Sequence, residues 1–470
     1  MAKSAEITAP AIEDPDTGDP KDMGLLSAGL ILVYTAGQPV MEIVPLGDSD
    51  LEMGRTHPVF RDREDRMMSR RHARVVFQNE RFEITDLGSR NGSFLDGRPV
   101  VGSVVCSTQR VLRLGHTLFL LCHDLEPFRA LGVRVQDGRA DGPALQRVLQ
   151  SVVRLAEHSR TLFITGESGV GKESIAQAFH RAGPQRRGPF IAVNCATIPE
   201  GLAERLLFGA QRGAYTGAAH DSEGYLQAAN GGTLFLDEVA DLDTTVQAKL
   251  LRALESREVL PLGATRPQQV ELRVCSATHK DLRAQTAAGL FRADLYFRLG
   301  MPQVAVPPLR KRLAEIPWLV THATSRVAPE LPVTAQLVEA CLLRDWPGNI
   351  RELFAELNTA AVNALSAGAK VIGVSHLSHT AGTALAPAAA PERAGPLDAV
   401  KDGRLGPGGE GSSDTSRIAP TRALLMQVLF ETKGNLSASA RVLGLHRTQL
   451  RRILLEYGIN LARVRELHKP

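Results

Sequence analysis

Thr161-Leu162-Phe163-Ile164-Thr165-Gly166-Glu167-Ser168-Gly169-Val170-Gly171-Lys172-Glu173 is the stretch on which the fold turns. Its first five residues are apolar or β-branched and read as a buried strand; the glycine-rich run behind them opens a helical segment. Strand, glycine loop and helix in that order are the setting of a phosphate-binding loop. Backbone N–H groups and the helix N-terminus cradle phosphate, and Lys172 reaches the β- and γ-phosphates. Glu173 stands where a Ser or Thr hydroxyl usually faces magnesium.

Downstream, Ala229-Asn230-Gly231-Gly232 leads into Thr233-Leu234-Phe235-Leu236-Asp237-Glu238, an apolar strand that ends in two carboxylates. A buried strand with that ending delivers Asp237 to a magnesium ion and Glu238 to an attacking water. The expected ATP and Mg2+ site thus spans Gly166 to Glu173 and Ala229 to Glu238, with Asp237 as the metal ligand. Further strands at 190–193 and 272–277 alternate with helical segments, which predicts a parallel α/β sheet. Between the two nucleotide motifs lies Gly213-Ala214-Tyr215-Thr216-Gly217-Ala218. Small residues around one ring make a poor core and a good mobile tip.

That hexapeptide resembles the GAFTGA loop of bacterial enhancer-binding proteins, the AAA+ ATPases that activate sigma-54 RNA polymerase. The order of phosphate loop, GAYTGA and acidic strand is similar to that family throughout residues 140–375, and Glu is common there at position 173. The resemblance implies a sigma-54 contact through Gly213, Ala214, Tyr215, Thr216, Gly217 and Ala218. It implies that Asn194 restrains the catalytic glutamate, and that Arg292 and Arg298 are fingers reaching a neighbour's γ-phosphate. Arg351, in Trp-Pro-Gly-Asn-Ile-Arg, matches the sensor arginine of a helical lid. Fingers acting in trans imply a head-to-tail ring of six or seven subunits. Two departures stand out: His279 replaces the family's usual Asn, and Ala210-Gln211 replaces His-Glu before the loop.

Residues 25–125 alternate short apolar runs (30–34, 73–77, 82–85, 117–121) with turn signals, the pattern of an all-β sandwich. Gly54-Arg55, Ser69-Arg70-Arg71-His72 and Asp86-Leu-Gly-Ser-Arg-Asn91-Gly92 resemble the motif blocks of forkhead-associated (FHA) domains, which bind phosphothreonine peptides. Arg55 offers a planar cationic fork, Ser69 a hydroxyl, Arg70 further charge and Asn91 a partner for peptide backbone. The segment 61–68 is more charged than that family's usual short apolar strand. An FHA module in the input position suggests control by a Ser/Thr kinase rather than by an aspartate phosphorelay.

Gly434-Asn435 to Leu454 resembles a Fis-type helix-turn-helix. Asn435 is a good N-cap, Gly444 makes the turn, and Arg447, Thr448, Gln449, Arg451 and Arg452 suit base edges and phosphates. From position 420 onward the chain has nine Lys/Arg and three Asp/Glu, a local +6 that leaves about −2 for the rest of a net +4. Contact with double-stranded enhancer DNA is therefore expected at this end.

The expected organisation is multidomain: a polar tail (1–24), the all-β FHA sandwich (25–125), the α/β P-loop AAA+ core (140–308), its helical lid (309–375), a Pro/Gly/Ala/Ser-rich linker (376–418) and an all-α helix-turn-helix (419–470). Five scattered cysteines without a CxxC pair indicate neither a disulfide framework nor a zinc site. With no membrane-length apolar run and no signal-peptide pattern, a cytoplasmic location is expected. The rivals are an AAA+ remodeller of another DNA-bound complex and a non-enzymatic phosphopeptide adaptor. The GAYTGA loop opposes the first; the retained Lys172, Asp237, Glu238, Arg292 and Arg298 oppose the second.

Overall fold

The computed structural model describes residues 27–384, apart from 48–49, 61–64, 108–109, 200 and 215–219, together with Leu429 and Ser439. The N-terminal domain is a two-sheet sandwich of β1 (Gly29–Thr35), β2 (Gln38–Pro45), β3 (Leu51–Met53), β4 (Ala73–Gln78), β5 (Arg81–Asp86), β6 (Ser93–Leu95), β7 (Arg98–Pro99), β8 (Ser103–Cys106), β9 (Val111–Leu114) and β10 (Thr117–Cys122). One sheet runs β2-β1-β10-β9-β6-β7 and the other β3-β4-β5-β8, antiparallel wherever strands pair. Along β5, Phe82 and Ile84 enter the core while Arg81 and Glu83 face solvent, the period of a half-buried strand. β1 differs: all seven residues are buried. Leu30 and Leu32 fill the sandwich, whereas Ile31 and Val33 belong to a second core shared with the helical lid. An uninterrupted apolar run in an antiparallel strand means that something covers its other face.

A short helix α1 (Glu126–Leu131) and a hairpin of β11 (Arg134–Gln136) and β12 (Arg139–Asp141) lead into α2 (Pro143–His158). The α/β core follows with β13 (Thr161–Thr165), α3 (Lys172–Ala182), β14 (Phe190–Asn194), α4 (Ala203–Phe208), α5 (Tyr225–Ala228), β15 (Thr233–Asp237) and α6 (Thr244–Ser256). After a small hairpin, β16 (Glu258–Val259) with β17 (Gln268–Gln269), come β18 (Arg273–Thr278), α7 (Leu282–Ala287), α8 (Ala293–Leu299) and β19 (Gln303–Ala305). The sheet order is β14-β15-β18-β13-β19, all parallel. The C-terminal ends of β15, β18 and β13 are neighbours, and open parallel sheets bind ligands at that edge.

The lid comprises α9 (Ile316–Val327), α10 (Ala335–Leu342) and α11 (Asn349–Ser366), packed around the fully buried Trp346. The indole N–H donates to the Cys341 carbonyl at 2.7 Å, which satisfies its one polar group. Packed chain continues past Ser375, where the sequence reading begins the linker. Leu377 and Ala381 are buried in the lid core, and the Gly382 carbonyl accepts from Asp345 N (3.0 Å) and Trp346 N (3.1 Å). Two apolar side chains and a few backbone hydrogen bonds suffice to dock a segment whose composition reads as loose. The rest of the expected linker lies outside the described residues.

Candidate functional site

The phosphate loop is shaped by glycines. Gly169 has φ 73° and Gly171 has φ 101°, both left-handed, and a Cβ on Gly169 would collide with the Gly348 carbonyl of the lid. α3 starts at Lys172, so the loop opens onto a helix N-terminus. Lys172 is buried, and its Nζ donates to the Gly166 carbonyl and to Glu238 Oε1, both at 3.1 Å. Glu173 lies in the first turn of α3, where its carboxylate accepts from Gln177.

Asp237 ends β15 and Glu238 follows it in the left-handed region, with φ 52°. The second oxygen of Glu238 is crowded: it accepts from Thr278 Oγ1 (3.0 Å) and His279 N (3.2 Å), and lies 2.8 Å from His279 Nδ1. Burial pushes both acids upward. For Asp237 it prevails over the pull of Lys172, and the carboxyl sits above the ordinary range. For Glu238, Lys172 and the His279 contacts outweigh burial and hold it below.

Asn194 ends β14, and its Oδ1 accepts from Ala196 N at 3.0 Å, capping the next turn. It borders the nucleotide cavity with Ala196, while His279 and Thr278 supply the partners of Glu238. The His-for-Asn departure at 279 thus falls on the acidic pair itself.

The lid closes the site. Arg351 Nη1 donates to Ser168 Oγ at 3.1 Å, and Ile350 N donates to the Gly169 carbonyl at 3.1 Å. Asn349, fully buried at φ 51°, donates to Glu167 Oε2 (3.1 Å) and the Ser168 carbonyl (3.0 Å). Arg310 forks onto Glu167 at 2.8 and 2.6 Å, which holds the Glu167 carboxyl below its usual range. The sequence reading assigns no role to Arg310, Asn349 or Thr278. Asn349 stands within the Trp-Pro-Gly-Asn-Ile-Arg run, but only the fold brings it and Arg310 to the phosphate loop and Thr278 to Glu238.

Lys172, Asn194, Asp237, Glu238, His279 and Arg351 line a cavity of about 570 Å3. Its polar wall is the 168–175 loop with Asp237 and Glu238, and its apolar wall is Leu145, Leu319, Ile350 and Phe354. Phosphates suit the first and a flat base the second. Ala229, Asn230, Gly231 and Gly232 lie elsewhere, at the opposite end of β15. Asn230 Oδ1 there accepts from Glu271 N at 2.7 Å, and a Cβ on Gly232 would collide with the Pro189 carbonyl. Thr233 to Leu236 are the buried body of the strand, and Thr233 bonds His180 at 2.9 Å. These eight residues carry Asp237 to the cavity without lining it.

Arg292 and Arg298 bracket α8. Arg292 forks onto Asp294 at 3.1 and 2.7 Å, and Arg298 donates to the Leu254 carbonyl at 3.1 Å. Both are exposed and neither lines the cavity of its own chain. At the loop base, Ala210 N and Ser222 N each donate to the other's carbonyl, Gln211 N donates to the Leu262 carbonyl, and Ala214 abuts Gly263. Tyr215, Thr216, Gly217 and Ala218 lie outside the described residues.

At the sandwich end, three loops converge. Arg55 N donates to the Ser69 carbonyl (2.9 Å), Ser69 Oγ accepts from Arg90 N (3.1 Å), and Asn91 Nδ2 donates to the Met67 carbonyl (2.7 Å). The buried His72 spans Ser69 N and the Gly92 carbonyl. Asp86 gathers Gly88 N, Ser89 N, Ser89 Oγ and Ser93 Oγ within 2.6–2.9 Å. Burial raises its carboxyl, but these donors outweigh that and leave it lowered. Gly54 is needed where it is because a Cβ would collide with the Arg70 carbonyl. Arg70 is exposed, whereas Arg71 is forked onto Glu52 at 2.8 and 2.6 Å. The charged segment 61–68 holds its own anchor: buried Asp65 accepts from His116 N (2.7 Å) and Thr117 Oγ1 (2.8 Å).

Arg447, Thr448, Gln449, Arg451 and Arg452 lie outside the described residues. Among the described residues no helix is long and apolar enough to cross a membrane.

Family models agree with this layout. The FHA domain matches residues 49–115, the sigma-54 interaction domain 139–305, the AAA+ ATPase lid domain 310–393, and the Fis family of bacterial regulatory proteins 422–457. The response regulator PilR of Pseudomonas aeruginosa is 37% identical over 325 residues, 68% of this chain and 69% of PilR. NtrC of Azospirillum brasilense is 37% identical over 340 residues, 68% of this chain and 69% of NtrC. The acetoin catabolism regulatory protein of Cupriavidus necator is 41% identical over 320 residues, 67% of this chain but 46% of that protein. The crystal structure of NtrX from Brucella abortus, 28% identical, superposes over 67% of this chain and 68% of its own with a TM-score of 0.49. Sandwich, P-loop ATPase, lid and Fis-type module occur in one order on a chain that is 37% identical to NtrC over 340 residues, and it belongs to the sigma-54-dependent transcriptional regulators, as an AAA+ ATPase with an FHA domain ahead of its sigma-54 interaction domain.

Proposed function

We propose that this regulator binds enhancer DNA through its C-terminal helices, assembles head-to-tail into a ring, and uses ATP hydrolysis to drive open-complex formation by sigma-54 polymerase. Phosphothreonine recognition at the FHA loops gates the cycle.

In this reading Lys172 leaves Glu238 to hold the β- and γ-phosphates, and the freed Glu238 orients the attacking water. Asp237 holds Mg2+. One carboxylate beside phosphate oxygens is the usual way to bind that ion, and a half-buried acid raised by desolvation gains from a cation. Bound magnesium supplies charge neutralisation at the phosphates. Arg351 reads the nucleotide from the lid, and Asn194 at the cavity edge restrains Glu238 until the loop engages its target. Gly213 to Ala218 meet sigma-54. Arg55, Ser69, Arg70 and Asn91 hold the phosphothreonine peptide, while Arg447, Thr448, Gln449, Arg451 and Arg452 contact DNA.

The observation that carries the ring is the absence of Arg292 and Arg298 from their own cavity. Among the described residues one chain brings phosphate loop, acids and lid arginine to the cavity while its own Arg292 and Arg298 stand outside it, so the site calls for a neighbour's α8. The test is ATP-dependent open-complex formation with wild type and Thr216→Ala. Activity in wild type that disappears in Thr216→Ala, with hydrolysis largely kept, is the expected result. Robust hydrolysis in both without any open complex, even with the phosphothreonine ligand present, would overturn the activator reading.

A further inference from the structure

The FHA sandwich is built into the ATPase lid. Ile31 and Val33 of β1, Val111 of β9, and Leu118 and Leu120 of β10 share a continuous apolar core with Leu337, Val338 and Cys341 of α10. The buried Tyr34 hydroxyl donates to the Val333 carbonyl at 2.7 Å, and burial pushes its phenol up to about 12. At the edge of this core, Arg113 Nε donates to Glu339 Oε2 at 2.7 Å, with side chains only 11% and 6% exposed. An ion pair so dry fixes a register between two surfaces more than it adds net stability.

Its two ends point to different sites. Arg113 lies 3.9 Å over the Phe94 ring, and Phe94 follows Asn91, Gly92 and Ser93 directly in the chain. Ser93 is tied to Asp86 and Gly92 to His72, so the strand under Arg113 starts in the convergent loops. Glu339 sits on α10, whose end is braced by Trp346 through the Cys341 carbonyl. Trp346 precedes the run that grips the phosphate loop through Asn349, Ile350 and Arg351.

We propose that the buried Arg113–Glu339 pair is the joint through which phosphothreonine occupancy of the FHA loops sets the lid, and with it the position of Arg351 over the nucleotide. This rests on the phosphothreonine reading above. Linkage then requires reciprocity: whatever the peptide does to nucleotide affinity, nucleotide does to peptide affinity by the same factor.

The experiment measures both affinities on the full chain by fluorescence anisotropy. The peptide probe is the tightest binder from a degenerate phosphothreonine library, with its unphosphorylated form as control; the nucleotide probe is a fluorescent ATP analogue. Wild type is expected to show a coupling of about fivefold or more, within the usual range for linked sites. Replacing the pair by apolar residues of similar volume, Arg113→Met with Glu339→Met, keeps each affinity alone and brings the coupling close to one. Glu339→Gln, milder and able to accept from Arg113, is expected to reduce the coupling even if the double variant fails to fold. Undiminished coupling in Glu339→Gln or in a folded double variant overturns the joint. So does wild type that binds both probes without coupling. A library from which nothing binds wild type overturns the phosphothreonine reading and the proposal with it, and is told apart because the peptide signal itself is missing.

Discussion

Glu238 is held from two sides, by Lys172 at the start of α3 and by the consecutive Thr278 and His279 at the end of β18. Replacing it by Gln keeps the shape and most hydrogen bonds but removes the charge that, in the proposed role, draws a proton from water. We expect Glu238→Gln to lower kcat by about 10²- to 10⁴-fold while ATP binding persists, measured by steady-state hydrolysis beside binding of a fluorescent analogue. At the other end, Asp86 accepts four hydrogen bonds that hold the Ser89–Ser93 turn. Asp86→Asn should cost about 1–3 kcal/mol of stability and weaken phosphopeptide binding, read by chemical denaturation and anisotropy. The pH dependence has a definite sign. The folded carboxyl is held below its free value of about 3.9, so its stabilisation is complete above that pH and is lost as pH falls through the lower, folded value. The variant should lack this acid-side loss. The acids and the glycines were readable as motifs. His279 could be seen as a departure, but its bond to Glu238 needs β18 to lie beside β15.

Among the elements, β18 is tied to two helices by one buried cation. Arg273 donates to the Ala156 and Ser159 carbonyls (both 2.8 Å) at the end of α2 and to the Phe179 carbonyl (3.2 Å) in α3, and its guanidinium lies 3.7 Å over the Phe179 ring. Cations near helix C-termini satisfy the last carbonyls. Arg273→Ala should therefore destabilise the ATPase by about 3 kcal/mol, and Lys should rescue little because it lacks the planar fork. Thermal unfolding with nucleotide titration tests both statements. Sequence periodicity located strands such as β4, β5 and β13 to within a residue or two, because their apolar faces are local properties. It placed the lid's end too early, since the docking of Leu377 and Ala381 depends on a surface made by other helices.

At the scale of the whole molecule, a ring with fingers in trans has a consequence that no single chain can show. On the proposed roles, Lys172→Ala would retain its fingers but not hold phosphate, and Arg292→Ala would bind nucleotide but lack one finger. Mixed together, they should hydrolyse ATP faster than either alone, as competent sites form between an Arg292→Ala cavity and a Lys172→Ala neighbour. A mixture no better than the sum of its parts would remove the ring interface from the proposal.

What the sequence determined by itself is the series of domain types and the chemistry of their motifs. A phosphate loop, an acidic strand end and a set of basic loops are short-range patterns whose meaning lies in residue type and spacing. The tertiary structure alone decided how the pieces meet. It put Thr278 and His279 against Glu238, Arg310 and Asn349 on the phosphate loop, and the outer face of the FHA sheet against α10. The apolar run of β1 was visible as a run of letters, yet the reason for it was not. A strand with two buried faces needs a second layer, and which layer covers it depends on contacts between residues hundreds of positions apart, such as Tyr34 with Val333.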